Sequence, residues 1–142
     1  MRIVSCDIET TGLSEDTCDI LEFGAVLDDL RSHEPIECLP VFHCYFVLPI
    51  YRGEPFALSM HPTIFKRIAA REGKYNYISA GKLGYSFKMF LNEHGYKIEQ
   101  DRVTINVAGK NFGIFDYHFL RDHTDLEKHV KIRHKIDRKS VV

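Results

Sequence analysis

At 142 residues the chain has the size of one ordinary domain, long enough to bury a core without a metal or disulfide staple. Hydrophobic residues make up 44% and charged residues 27%, and the formal net charge of -1 excludes a protein-wide basic field. The cysteines at 6, 18, 38 and 44 form no Cys-x-x-Cys pair, which argues against a zinc knuckle or a disulfide scaffold and for free thiols. "MRIVSCDIET" carries an acid by its seventh residue, so it is no signal peptide, and no apolar run reaches membrane-spanning length. A soluble, cytoplasmic protein is expected.

In chain order, "RIVSCDI" is short, β-branched and apolar, and predicts a buried strand. "TTGLSEDTCD" is a turn-rich connection. "ILEFGAVLDDL" and "VFHCYFVLP" predict two further strands, joined by the polar, proline-bearing "RSHEPIECLP". The three could form an antiparallel meander. In "HPTIFKRIAAREG", Pro62 marks a helix start, Ile64, Phe65, Ile68 and Ala69 have helical spacing, and Gly73 is the expected stop.

"SAGKLGYSFKMFLNEHG" predicts a helix with Leu83, Phe87, Phe90 and Leu91 on one stripe and Gly95 as its cap. "RVTINVAG" is another buried strand. "NFGIFDYHFLRDH" predicts a helix capped by Asn111, with Ile114, Phe115, Phe119 and Leu120 facing inward. A last strand is expected near residues 130–137. A meander followed by alternating helix and strand implies an α/β fold with a mixed sheet and packed helices.

Asp7 and Glu9 stand two positions apart in the first strand, so their side chains share a face. Two carboxylates so close repel, and burial worsens the repulsion. No Lys or Arg occurs between residues 3 and 30. A divalent cation is the natural counter-charge, since hard cations take oxygen ligands; a strand end where both acids reach water is the plain alternative. Asp116 sits beside the core face of the third helix, where it could meet Asp7 and Glu9, or could simply be an acid favoured by the helix dipole.

"DIETTGL", then "ILEFGAVL", "SMHPTIF" and "AGKNFGIFDYHFL", resembles the DnaQ-like DEDD superfamily of 3′–5′ exonucleases. "DIETTGL" is similar to its first motif, Asn111 to Leu120 to its second, and "HKIDRKSV" to a strand of phage-type members. The resemblance implies an RNase H-like fold: a five-stranded mixed sheet, antiparallel meander plus parallel strands, flanked by helices. It implies two Mg²⁺ or Mn²⁺ ions held by four acids, of which Asp7, Glu9 and Asp116 match three, and a single-stranded nucleic acid whose 3′ end is trimmed. Thr10, Thr11, Gly12 and Leu13 would contact the terminal nucleotide, through backbone amides and an apolar wedge; a tight turn is the alternative. His61 would contact substrate or start a helix. Asn111 and Lys110 could face the phosphate path, and Glu22 would support the loop of the first motif. Phe112 and Phe115 fit core packing better than base stacking. Homodimers occur in parts of the family.

The family's third motif, His-x-x-x-x-Asp or Tyr-x-x-x-Asp after the last strand, is missing. No His or Tyr has an Asp at that offset. Two expectations compete: a single domain, residues 1–142, truncated at its C-terminus, or a catalytically degenerate module that binds nucleic acid or a partner. Either way the 142 residues alone are expected to be inactive or weak. A third reading borrows a histidine from the basic "HVKIRHK" tail.

Overall fold

A computed structural model describes residues 1–31, 33–110 and 112–137. Strands β1 (Arg2–Thr10), β2 (Ile20–Asp29) and β3 (Val41–Phe46) form the expected antiparallel meander. Val4, Cys6 and Ile8 of β1 and Phe23, Ala25 and Leu27 of β2 alternate with less buried residues, whereas Cys44, Tyr45 and Phe46 of β3 are all buried. Next come helices α1 (Pro55–Ser59) and α2 (Pro62–Ala70), strand β4 (Tyr77–Ile78) and helix α3 (Leu83–Glu93). Then follow β5 (Ile98–Glu99), β6 (Arg102–Gly109), helices α4 (Tyr117–His123) and α5 (Leu126–His129), and β7 (Val130–Asp137).

The mixed sheet has seven strands, where five were expected, in the order β4-β3-β2-β1-β6-β5, with β7 paired to β6. The two extra strands, β4 and β5, have two residues each, too short to leave a periodic signal. β6 runs parallel to both β1 and β7. The main core joins Val4, Cys6, Ile8 and Phe23 to Leu83, Phe87 and Leu91 of α3, Phe119 and Leu120 of α4, and Leu126 of α5. A smaller cluster places Ile64 and Ile68 of α2 on Leu21 and Tyr45. A bulge after Glu9, where Thr10 pairs with Ile20, breaks the alternation and sends Leu21 to this second cluster while Ile20 stays in the first.

Several expectations need correction. Helix α2 ends at Ala70, before Gly73, because Arg71 takes the left-handed conformation at φ 50° and caps it. Ala69 faces water. Gly95 does turn the chain after α3, at φ 91°. The helix expected from Asn111 is not uniform: Phe112–Asp116 form a π-helical turn, and α4 starts only at Tyr117. Asn111 itself, and the side chain of Ile114, lie outside the described structure. Phe112 is buried in the core and Phe115 packs against it, as expected of core residues. Among the described residues no helix is long and apolar enough to cross a membrane.

Candidate active site

The parity of β1 puts Cys6 and Ile8 in the core and turns Asp7 and Glu9 to the other face. The register then decides their neighbours. Glu9 lies directly across from Glu22, and Asp7 across from Gly24, which in turn lies across from His43 of β3. Directly opposed like charges weaken a sheet unless a counter-charge is near. Here the nearby partners are histidines. His43 Nε2 lies 2.5 Å from Glu22 Oε2, and His61 Nε2 lies 3.7 Å from Glu9 Oε2. Asp7, Glu9, Glu22 and His43, with Ile8 and Gly24, line a cleft of about 180 Å³. A Cβ built on Gly24 would meet nothing within 4 Å, so the missing side chain keeps this cleft open.

Asp116 reaches the same acids from the other side. Gly109, at the end of β6, lets the chain pass against β1: a Cβ there would stand 2.7 Å from the Cys6 carbonyl oxygen. The π-turn that follows delivers Asp116, 4% exposed, to the N-terminus of α4. Its side chain makes no capping bond, and Oδ2 is buried without a hydrogen-bond partner. Burial first, then the negative charges of Asp7 and Glu9, push its carboxyl up to about 7, against a hydrogen bond from the Ile8 N–H. Asp7 is raised by burial and by Glu22, against a bond from the Ile8 N–H; Glu9 is raised by burial, Asp7 and Glu22, against His61. π-turns inside helices are frequent at functional sites, where they re-aim one side chain.

These three acids offer oxygen donors and an unpaired buried oxygen, which suits a hard divalent cation. They do not form a ready cage: among the described residues no three His, Cys, Asp or Glu side chains converge tightly enough to hold a metal ion.

The loop after β1 is held by bonds among Thr10, Thr11, Gly12, Asp19 and Arg52. Thr11 is fully buried; its hydroxyl donates to the Arg52 carbonyl and accepts the Asp19 N–H at 2.7 Å. Thr10 donates its hydroxyl to the Gly12 carbonyl at 2.7 Å. Both threonine hydroxyls are thus committed to the turn. Gly12 is a packing requirement, since a Cβ would come within 2.4 Å of Cys18 Sγ. Leu13, by contrast, is 76% exposed and projects from the loop. Asp19 ties the loop to Arg52 through the Arg52 N–H at 2.6 Å and the guanidinium at 3.1 Å. The support expected of Glu22 is therefore supplied by Asp19, and Glu22 instead belongs to the acidic row. Counting the β1–β2 register would have found Glu22; nothing local in the sequence pairs Asp19 with Arg52.

His61 caps α2 by position but makes no capping bond; its ring turns to Glu9.

No protein-family model matches the chain, and no curated protein sequence does. Among solved structures it is similar to E. coli exonuclease I, in a zinc-bound form of the complex with single-stranded DNA and in a complex with a dA16 oligonucleotide. In both cases the TM-score is 0.52, the identity 16%, and the match covers 84% of this chain. The chain spans only 22% and 23% of those two chains. At this identity the likeness is one of fold: a mixed α/β domain similar to part of an exonuclease.

Proposed function

We propose that this chain carries the metal-binding part of a 3′–5′ exonuclease domain, acting on phosphodiester bonds at the 3′ end of single-stranded DNA or RNA. The observation that carries the reading is Asp116: buried, with Oδ2 unpaired, and pushed up by Asp7 and Glu9. A buried carboxylate oxygen without a partner, set beside two further acids, is the kind of group that clusters at functional sites. Asp7, Glu9 and Asp116 would hold Mg²⁺ or Mn²⁺. Divalent ions held there would supply the Lewis-acid chemistry that activates water and stabilises a leaving 3′ oxygen. The chain's own residues orient the chemistry. His61 steadies Glu9, the Asp19–Arg52 bonds hold the loop in place, and Gly24 leaves room beside Asp7.

A second reading, a nucleic-acid-binding module that does not cut, is favoured by the open spacing of the acids among the described residues.

Mn²⁺ titration by calorimetry, alongside digestion of 5′-labelled dT20 and U20, separates the two. The first reading expects Mn²⁺ binding that Asp7→Ala abolishes, with slow stepwise shortening from the 3′ end. Oligonucleotide binding without cutting, equal in wild type and Asp7→Ala, establishes the second. A wild-type chain that binds no Mn²⁺ overturns the first.

A further inference from the structure

The start of β6 carries a second polar cavity. β5 and β6 are joined by a two-residue turn, Gln100 and Asp101, both in the left-handed region at φ 52° and 64°. The Lys88 ammonium donates to the Asp101 carbonyl at 3.0 Å, which fixes this turn. Val103 and Ile105 of β6 lie in the core, so Arg102 and Thr104 share the other side of the strand. The parallel register sets Lys131 of β7 directly beside Thr104. Glu99, Gln100, Arg102, Thr104 and Lys131 line a cavity of about 330 Å³. Its cations lack counter-ions. Among the described residues neither Arg102 nor Lys131 forms an ion pair, and Arg102 Nε is buried without a hydrogen-bond partner. Glu99, the one acid in the lining, is paired with Lys97 at 3.8 Å. Arg133, two residues beyond Lys131 and exposed, extends the positive charge along β7.

We propose that Arg102, Thr104 and Lys131 form a phosphate-binding site separate from the acidic cleft. A guanidinium and an ammonium without counter-ions, beside a hydroxyl and the Gln100 amide, offer several donors to one tetrahedral oxyanion. Arg takes phosphate oxygens in a fixed fork, and Lys adds a point charge. A buried donor without a partner is uncommon in a folded chain, and here it belongs to the cation that lines the cavity. The volume lies within the range of small-molecule sites, so the cavity has room for more than a bare ion. β6 is eight residues long and rises about 3.3 Å per residue, so its far end, from which the chain leads to Asp116, is roughly 23 Å away. That exceeds two Debye lengths of about 8 Å at physiological salt, so the acids there do not repel an anion here. The phosphate comes from a free nucleotide or from the backbone of a nucleic-acid strand, two sources of one chemistry that binding separates.

The test titrates wild type, Arg102→Gln, Lys131→Gln and Lys128→Gln with thymidine 5′-monophosphate, with thymidine and with fluorescein-labelled dT8. EDTA is present throughout, so no cation at Asp7, Glu9 and Asp116 contributes, and the outcome is independent of the function proposed above. Arg102→Gln and Lys131→Gln are each expected to bind the phosphate-bearing probe about tenfold more weakly, in line with the loss of one charge-assisted bond. Lys131 is exposed, so its variant keeps the fold even if Arg102→Gln does not. Lys128, an exposed cation of α5 outside the cavity lining, serves as the control, and Lys128→Gln is expected to bind as wild type does. A loss confined to the monophosphate assigns a free nucleotide to the site. A loss on dT8, with or without the monophosphate, assigns the backbone of a strand. Wild-type affinity of Lys131→Gln for both probes overturns the site. So does an equal loss in Lys128→Gln, which would mark diffuse attraction by a basic surface, and so does wild-type binding of thymidine as tight as that of its monophosphate.

Discussion

Asp19, just before β2, and Asp116, just before α4, are both carboxylates almost wholly removed from water, at 6% and 4% exposure. Asp19 accepts the Arg52 N–H at 2.6 Å and the guanidinium at 3.1 Å, and its backbone pairs with Thr11. Asp116 has a buried oxygen with no partner and faces two further acids. Burial of a charge is tolerated when it is paired and bonded, and is costly otherwise. The difference separates an acid whose partners tie a loop to its neighbour from an acid that keeps an unpartnered oxygen beside two like charges. Burial alone does not separate them; the census of partners does.

The largest expected effect breaks the satisfied side of this comparison. Asp19→Ala removes two charge-assisted bonds that join the first loop to the segment before α1. Such bonds contribute about 1.5–3 kcal/mol each, and Arg52, being largely exposed, recovers part of that in water. A loss of about 3 kcal/mol in urea unfolding is expected. The loop and α1 should loosen with it, read as faster amide exchange across Thr11–Leu13 and α1. A loss below about 1 kcal/mol would mean that the loop is held by its backbone bonds alone.

A pair of glycines extends the comparison at smaller amplitude. Gly53 touches Thr11, so Gly53→Ala must displace backbone and is expected to cost about 2 kcal/mol. Gly24 faces empty space, so Gly24→Ala should change stability by less than about 1 kcal/mol. Its effect should fall instead on whatever occupies the cleft between Asp7 and His43, seen as weaker Mn²⁺ or oligonucleotide binding at unchanged urea midpoint. Equal destabilisation by both substitutions would show that the strand, not the cleft, needs Gly24.

The elements with clean periodicity are legible in the sequence. The apolar stripe of α3 at Leu83, Phe87 and Leu91, the start of α2 at Pro62, and β7 at 130–137 all stand where spacing puts them. What is not legible depends on long-range partners or on very short elements. Strands β4 and β5 are two residues each, and α1 only five. The π-turn at Phe112–Asp116 hides inside an apolar pattern that also fits a regular helix. At the site, parity alone puts Asp7 and Glu9 on one face, but the acidic row needs the β1–β2 register to include Glu22. The role of Thr11 turns on Arg52, 41 residues away in sequence, and no local pattern reports that contact.

A further expected effect reads Asp116 directly. An acid raised from 3.8 to about 7 holds its proton in the folded chain through a window where the unfolded chain has lost it. The folded state then binds more protons, so stability falls as pH rises from about 4 to about 7, and the penalty is complete above that. Asp116→Asn removes the group that suffers it. Without metal, at pH 8, the variant should be more stable than wild type by about 1.5 kcal/mol, once the water reaching Asp7 and Glu9 is allowed for. Near pH 4 the two should be nearly equal, since both side chains are then neutral. Saturating Mn²⁺ should reverse the order at pH 8, because a ligand present at a hundred times its Kd stabilises by about 2.7 kcal/mol only the chain that binds it. Urea unfolding at the two pH values, with EDTA and with Mn²⁺, gives all three comparisons. An Asn variant that is less stable than wild type at pH 8 without metal would place Asp116 beside Asp19, as a residue that holds the fold.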